Sequence, residues 1–334
     1  MEIFPTQYSL LSASALNTTL ADRYGLQNTS CRLLIHNVSD TYLLESKDSG
    51  EKYIFKIYRD SHRNGEQING EIELLNILKN RGANVSYPIR DETGQYLQSF
   101  QAAEGIRFGV MFSFAPGKVI VGLGEEQIML VGRGMAKIHN ITANLKLSQT
   151  RKSYDLNTLL INPVKTLEPA FKDLPDDYRY LKEASARIAD KISQFDLKQF
   201  SYGYCHYDFL PKNFHFTEDN KITFFDFDFA GEGLLANDVA SFYVYFFIEV
   251  FTKKMTQEQA DRLFAIFIKS YREIRPFSEE ELKSIPYLGY AFWVFYLGFQ
   301  YENFEDWSNM FFGPNFLKER IRSLKQWDDW YCRE

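Results

Sequence analysis

The chain has 334 residues, of which 45% are hydrophobic and 25% are charged. This is the composition of an ordinary globular protein, and it excludes collagen-like and disordered chains. The formal net charge of −6 argues against a general nucleic-acid-binding protein, because phosphate backbones are held mainly by lysine and arginine.

The first third of the chain has the pattern of a β-rich unit with one main helix. Four short runs of β-branched, aromatic and aliphatic residues predict strands, and they comprise residues 32–35, 42–45, 53–58 and 108–114. Between the last two runs, apolar residues recur with helical period over residues 66–80, and Gly82 ends this helix. The segment Ala115-Pro116-Gly117 then has the composition of a turn or hinge.

Helical patterns dominate beyond this hinge. The predicted helices comprise residues 125–139, 178–195, 238–251, 257–274, 279–299 and 316–327. The sequence therefore predicts an α+β fold in two parts. A small β-rich N-terminal lobe is expected over residues 1–114, and a large, mainly helical C-terminal lobe over residues 115–334.

No stretch of the sequence reaches the ~20 apolar residues that a membrane-spanning helix requires. The first residues lack the basic start of a secretory signal. The three cysteines are widely spaced, with no metal-binding pair, which is typical of thiols in a reducing compartment. We therefore expect a cytoplasmic protein without a membrane or nucleic-acid partner.

One interruption of the helical part carries polar residues suited to chemistry. Two short apolar runs flank a polar turn at residues 217–220, which predicts a β-hairpin. Folding the hairpin about the centre of this turn puts Asn213 opposite Phe224, so that Asn213 and Asp226 emerge at the same open end. Asp208 lies on the loop that leads to this end.

Three oxygen-bearing side chains at one point suit a hard divalent cation. Mg²⁺ prefers one or two carboxylates together with phosphate oxygens to a cage made by the protein alone. In the protein-kinase template, the residues in the positions of Asn213 and Asp226 bind the metal, and the residue in the position of Asp208 holds the hydroxyl that is phosphorylated.

These motifs occur in a particular order along the chain. They are His206-x-Asp208-x-x-x-x-Asn213, Phe-Asp-Phe-Asp-Phe-Ala-Gly at 225–231, Asn-Asp-Val-Ala at 237–240, and upstream the runs 111–117 and 132–139. In this order they resemble the aminoglycoside phosphotransferase, choline kinase and type II homoserine kinase family. The resemblance begins near Thr19 and is weak after Phe251. It implies a protein-kinase-like two-lobed fold and a phosphotransferase that uses ATP and Mg²⁺.

The resemblance also implies roles for individual residues of the C-terminal lobe. Asp208 is expected as the catalytic carboxylate, and Asn213 and Asp226 as the ligands of Mg²⁺. Asp228 is expected either as a second metal contact or as a brace of its loop. His206 is expected as a brace of the catalytic loop rather than as a base.

Nucleotide contacts are expected mainly from the N-terminal lobe. Lys56 matches the strand lysine that contacts the α- and β-phosphates, and Glu71 is the helix residue expected to pair with it. Glu73 is the alternative partner, about 200° away around the helix. Four further residues are expected around the phosphates and at the hinge, namely Ser39, Thr41, Phe112 and Phe114.

Two features favour a small-molecule acceptor over a protein. The interval from Asp226 to Asp238 is too short for an activation loop, and Tyr207 stands where regulated protein kinases carry an arginine. The expected acceptor is the hydroxyl of an amino alcohol, a homoserine-like amino acid, an amino sugar or an aminoglycoside.

Aromatic and acidic residues of the C-terminal helices could hold a cationic amine of the acceptor. They could equally form an aromatic core beside a solvated acidic face. The residues are Tyr287, Tyr290, Trp293, Tyr296, Tyr301, Trp307, Glu302, Glu305 and Asp306.

Other functional classes stay open at this point. A pseudokinase would keep the nucleotide cleft without turnover, and an atypical protein Ser/Thr kinase would use a protein acceptor. A metallohydrolase built on His139, His206 and His215 is disfavoured, because no His-x-His or His-Glu-x-x-His spacing occurs. The choice between ATP and GTP, the oligomeric state and the identity of the acceptor also stay open.

Overall fold

The computed structural model describes residues 4–307 and 312–333, with the side chains of residues 304–307 left out. The helices are α1 (Ala13–Arg23), α2 (Gly65–Asn80), α3 (Glu125–Thr142), α4 (Asn162–Thr166), α5 (Pro175–Ser193), α6 (Ala236–Phe251), α7 (Gln257–Arg272), α8 (Glu279–Trp307) and α9 (Pro314–Trp327). The strands are β1 (Thr29–His36), β2 (Ser39–Ser46), β3 (Lys52–Tyr58), β4 (Pro88–Ile89), β5 (Leu97–Gln101), β6 (Ile106–Ser113), β7 (Ser153–Tyr154), β8 (Tyr202–Cys205), β9 (Phe214–Phe216), β10 (Ile222–Phe224) and β11 (Gly231–Leu234).

An antiparallel sheet forms the body of the N-terminal lobe. Its strand order is β1-β2-β3-β6-β4, and β5 pairs with β6. Lys56 is opposite Thr41 of β2 and Val110 of β6, so it occupies the centre of the sheet. Helix α2 begins with a capping box in which Asn64 and Gln67 satisfy each other's backbone N–H groups. This pairing positions the helix whose first half carries Glu71.

The predicted strands and helices of both lobes are confirmed, and most of their bounds differ by a few residues. The exception is α8, which continues to Trp307 where the prediction ended at residue 299. The structure adds α1, for which the sequence has a weak signal because only Leu16 and Leu20 of the helix are buried. It also adds several strands of two to five residues, which are too short to show an alternating pattern.

The hairpin β9–β10 has a register that differs by one residue from the predicted one. Phe214 is opposite Phe224, so Asn213 lies opposite Phe225 and not opposite Phe224. The reason is the turn, which closes between Thr217 and Lys221 through hydrogen bonds at both the backbone and the Thr217 hydroxyl. The main inference survives this correction. The Phe225 N–H donates to the Asn213 carbonyl oxygen at 2.9 Å, and Asp226 is the next residue.

The larger hydrophobic core connects the lobes. It runs from Ile68 and Leu75 of α2 to the helices of the C-terminal lobe, whereas a smaller core with Leu16 and Phe55 covers the outer face of the sheet. Among the described helices, none combines the length and apolarity needed to cross a membrane. The lobe boundary after residue 114 stays a prediction.

Candidate active site

A cavity of about 320 Å³ lies between the two lobes. Apolar side chains such as Ile54 and Phe112 line one part of it, and charged side chains line the other. The charged residues are Lys56, Glu71, Lys212 and Asp226. An apolar compartment that opens onto a charged one suits a ligand with a flat ring system and anionic groups.

The loop between β8 and β9, which carries Asp208, is held by a buried carboxylate. Asp238 of α6 accepts from the N–H groups of His206 (2.8 Å) and Tyr207 (2.6 Å). A third partner of Asp238 is His139 of α3, whose Nε2 donates to Oδ2 at 3.0 Å. Tyr207 has a left-handed backbone, with φ of 67°. A non-glycine residue keeps such a conformation only where its surroundings impose it.

His206 has contacts that fit the expected role of a brace. Its Nε2 donates to the Phe225 carbonyl oxygen at 2.9 Å, and its Nδ1 accepts from the Asp208 N–H at 3.3 Å. Because both ring nitrogens are engaged, the imidazole links the loop to the end of the hairpin and is not available as a base.

Asp208 has one engaged and one unengaged carboxylate oxygen. Oδ2 accepts from Lys212 Nζ and from Asn213 Nδ2, each at 2.8 Å. Oδ1 is buried and has no hydrogen-bond partner among the described residues. An unsatisfied buried acceptor is costly, so this oxygen is well suited to a ligand that brings a donor.

Lys56 reaches across the cleft to the C-terminal lobe. Its ammonium lies 2.7 Å from Asp226 Oδ1 and 3.6 Å from Asp228 Oδ2. Burial on its own would lower the pKa of Lys56, but the carboxylates Asp226, Asp228 and Glu71 outweigh it and raise the pKa. Asp226 has a left-handed backbone with φ of 62°, and its side chain is 46% exposed towards the cleft.

Asp228 is buried among an imidazole and two cationic side chains. Its Oδ1 lies 3.0 Å from Arg63 Nε, and its Oδ2 lies 3.0 Å from His62 Nε2. Burial raises the pKa of Asp228, but Lys56, His62 and Arg63 together hold it well below its usual range. Of the two roles expected for Asp228, the geometry favours the brace, because these contacts occupy both oxygens.

Sequence reasoning missed His62 and Arg63. They lie in the loop between β3 and α2 and contact a residue more than 160 positions away, so no local spacing in the sequence indicates them. It also missed Arg151, which donates to the carbonyl oxygens of Phe227 and Ala230 and thereby holds the loop of Asp228.

The two candidate glutamates of α2 face different ways. Glu73 accepts from the Ser148 backbone N–H and hydroxyl, outside the cavity. Glu71 is buried and lines the cavity with Lys56, although the ammonium contacts Asp226 instead. Burial raises the pKa of Glu71, and the nearby Lys56 only partly offsets this effect. The Glu71 Oε2 atom has no hydrogen-bond partner among the described residues.

Most of the other residues that were expected to contact the nucleotide line the cavity. Thr41, Phe112 and Phe114 line the cavity, whereas Ser39 is buried outside its lining. His215, which sequence reasoning set aside, also lines the cavity. Its Nδ1 donates to the Ala115 carbonyl oxygen of the hinge at 2.8 Å.

The C-terminal aromatic residues serve mainly as packing where they are described. Tyr290 is fully buried in the core, and the Tyr287 ring lies 6.1 Å from that of Phe195. The Tyr296 ring stacks at 6.2 Å on that of Phe292. The side chains of Glu305, Asp306 and Trp307 lie outside the described residues.

The donor set at the cleft fits a divalent cation that phosphates help to hold. Asp226 offers an exposed carboxylate, and Asn213 donates through Nδ2 to Asp208, which leaves Oδ1 as the atom for a cation. In the part of the chain that the structure describes, no group of three or more His, Cys, Asp or Glu side chains could hold a metal. A pair of oxygen ligands is what Mg²⁺ uses where phosphates supply further ligands.

Residues 30–277 match the phosphotransferase enzyme family. The chain belongs to this family. Its members with known activity among the relatives are small-molecule kinases, and the protein is accordingly a phosphotransferase with an alcohol group as acceptor. The family resemblance predicted from the motifs is thereby confirmed.

Three similar proteins illustrate the membership. An uncharacterized protein of Deinococcus radiodurans is 28% identical over 326 residues, covering 98% of this chain and 93% of that protein. The amicoumacin kinase of Bacillus subtilis is 26% identical over 226 residues, covering 66% of this chain and 64% of that kinase. The solved structure of an amicoumacin kinase with AMP-PNP, Ca²⁺ and Ami has a TM-score of 0.76 at 20% identity, covering 96% of this chain and 94% of that chain. The expected two-lobed α+β fold is confirmed by this likeness.

Proposed function

We propose that this phosphotransferase moves the γ-phosphate of ATP, with Mg²⁺, to a hydroxyl group of a small amine-bearing molecule. The observation that carries the proposal is the convergence of Asp208, Asn213, Asp226 and Lys56 at the mouth of one cleft. Residues from both lobes meet there although up to 170 positions separate them.

The nucleotide is expected in the cavity between the lobes. Its ring system would lie among apolar residues such as Ile54 and Phe112, next to the hinge. Lys56 would exchange its contact with Asp226 for the α- and β-phosphates, and Glu71 would then hold the ammonium in place. The unsatisfied Oε2 of Glu71 supports this exchange.

Asn213 and Asp226 would hold the metal against the phosphates. When bound, Mg²⁺ supplies neutralisation of the charge on the phosphate oxygens. The left-handed backbone of Asp226 and the hydrogen bond between Phe225 and Asn213 keep the two ligands at the same end of the hairpin. The mouth is thus arranged before substrate arrives, which lowers the entropic cost of the reactive geometry.

Asp208 would orient the acceptor and take its proton. The Oδ1 atom accepts the hydroxyl hydrogen, the hydroxyl oxygen forms a bond to the γ-phosphorus, and the bond from this phosphorus to the β-γ bridging oxygen breaks. ADP leaves with the electron pair of that bond, and Asp208 releases the proton to solvent. The second oxygen, Oδ2, stays fixed by Asn213 throughout.

The acceptor class rests on the family and on the C-terminal lobe. Only eleven residues separate Asp226 from Asp238, and in the structure they form a 3₁₀ turn and β11 that run into α6. No segment there resembles an activation loop, which supports a small acceptor. Amino alcohols, homoserine-like amino acids, amino sugars and aminoglycosides are the panel to test.

ADP release across this acceptor panel tests the function. The wild type is expected to be active with at least one member, and Asp208→Asn should lower kcat by about 10²–10⁴-fold, the usual contribution of a general base. Asp219→Asn is the matched control, because this aspartate lies exposed on the turn of the same hairpin. A wild type that binds nucleotide but is as inactive as Asp208→Asn would favour the pseudokinase.

A further inference from the structure

Lys212 lies at the catalytic loop and has no role in the mechanism described so far. It belongs to the 3₁₀ turn Pro211–Asn213, immediately before Asn213. Its ammonium lies 2.8 Å from Asp208 Oδ2, and its side chain is 54% exposed. The side chain lines the cavity together with that of Asp226. The positive charge is therefore at the mouth of the cleft, beside both carboxylates.

The ion pair is not needed to orient Asp208. The same oxygen accepts from Asn213 Nδ2 at 2.8 Å, and the Asp208 N–H is bound to His206. The Lys212 ammonium group is at the end of a flexible four-carbon side chain, so it can change partners. Partial burial would lower its pKa, but Asp208 outweighs this effect and raises it, so the group is an ammonium ion at neutral pH.

Without nucleotide, each of the two lysines at the mouth of the cleft lies against one carboxylate. Lys56 lies against Asp226, and Lys212 lies against Asp208. A triphosphate brings additional negative charge, and its γ-phosphate must lie next to the acceptor hydroxyl, that is, next to Asp208. Among the described residues that line the cavity, Lys56 and Lys212 are the lysines, so with Lys56 on the α- and β-phosphates Lys212 is available for the γ-phosphate.

We propose that Lys212 is a catalytic residue that moves from Asp208 to the γ-phosphate when nucleotide binds, an inference that rests on the proposed function. The move frees the carboxylate for the acceptor hydroxyl and places a donor on the oxygens of the transferred group. As the bond from phosphorus to the bridging oxygen breaks, the ammonium stabilises the charge there and keeps its own proton.

Nucleotide affinities in an inactive background test this role. The background is Asp208→Asn, which removes the negative charge that Lys212 would otherwise neutralise and allows ATP itself to be used. Titration calorimetry with ATP and with ADP, both with Mg²⁺, is compared between Asp208→Asn and Asp208→Asn/Lys212→Met. The second substitution should weaken ATP binding by about 10-fold or more and ADP binding by less than about 2-fold, because only ATP has the γ-phosphate.

Other results would overturn the proposal. Equal losses for ATP and ADP, or no loss for either, would mean that Lys212 only neutralises Asp208. Lys221→Met is the matched control, since this exposed lysine lies on the same hairpin and pairs with Asp219. A wild type that binds neither nucleotide would reject the proposed function itself, which separates that failure from a failure of the inference.

The rate of ATP hydrolysis provides a second test of the role of Lys212. With water as acceptor, Lys212→Met should lower the rate of ATP hydrolysis by about 10²–10³-fold, as loss of one donor to a transition-state oxyanion does. Lys212→Arg keeps the positive charge and should recover part of this rate. Equal rates for Lys212→Arg and Lys212→Met would contradict a role of the charge.

Discussion

Asp228 shows how strongly individual charges determine this site. The three neighbours of its carboxylate all come from the N-terminal lobe, and two of them, the His62 imidazole and the Arg63 guanidinium, contact it at 3.0 Å. The third, Lys56, lies 3.6 Å away and points mainly at Asp226. The carboxylate therefore connects the lobes behind the place where the nucleotide is expected, while Asp226 stays exposed in front of it.

His62 should make the stability of the protein depend on pH between about 7.5 and 5.5. Burial lowers the pKa of His62, an effect that Asp228 only partly offsets. The unfolded chain, with a histidine pKa of about 6.5, then binds more protons than the folded one, so stability is lost as pH falls through that value. Urea unfolding at three pH values should give a smaller loss for His62→Gln than for the wild type.

The comparison depends on how steeply the free energy of unfolding falls with pH, and not on its value at one pH. His62→Gln also removes a contact with Asp228, so its free energy of unfolding at pH 7.5 is expected to be lower than that of the wild type. Equal losses of stability between pH 7.5 and 5.5 in both proteins would contradict the assignment of the protons to His62.

At the scale of elements, the hinge after β6 depends on one glycine. Gly117 has φ of 89°, and a Cβ atom there would lie 2.1 Å from the Phe216 carbonyl oxygen. The same oxygen accepts from the Lys118 N–H at 3.0 Å, which joins the hinge to β9. The close approach of the two backbones is thus possible only without a side chain at position 117.

Gly117→Ala should lower the free energy of unfolding by more than the ~1–3 kcal/mol that a left-handed residue costs, because the clash with β9 adds to it. Gly50→Ala is the matched control. Gly50 has φ of 71° with nothing within 4 Å of the added Cβ, so it carries the backbone cost alone. Urea unfolding of both variants measures the difference, and equal losses would mean that the hinge tolerates the side chain.

At the scale of the whole molecule, polar contacts join the lobes around the cavity. Besides the ion pairs of Lys56 and Arg63, the Ser86 N–H donates to the Phe224 carbonyl oxygen at 2.8 Å, and Arg151 Nη1 donates to the Gln67 carbonyl oxygen at 2.7 Å. A ligand that contacts both lobes adds its binding free energy to these contacts.

Nucleotide with Mg²⁺ should therefore raise the melting temperature. At 100 times the Kd the stabilisation is about 2.7 kcal/mol, which corresponds to a shift of several degrees. Differential scanning fluorimetry with ADP, Mg²⁺ and EDTA measures it. The part of the shift that EDTA removes should disappear in Asp226→Asn, and an unchanged metal dependence in this variant would exclude Asp226 as a ligand.

The sequence by itself determined the order of the elements, the two-lobed fold and the motif residues. Helical and strand periods are local, and the spacing between Asp208, Asn213 and Asp226 is short enough for one loop and one hairpin to bring them together. Helical period also favoured Glu71 over Glu73 as the partner of Lys56, which stays a prediction, and in the structure Glu71 is the one that lines the cavity. The hairpin register was wrong by one residue, because a hydroxyl of the turn selects where the turn closes.

Only the tertiary structure decided which charges meet. The groups around Asp228 and the position of His215 at the hinge depend on how the two lobes pack. Coulomb and hydrogen-bond energies depend on distances in space, and residues separated by 100 or more positions acquire those distances only when the chain is folded.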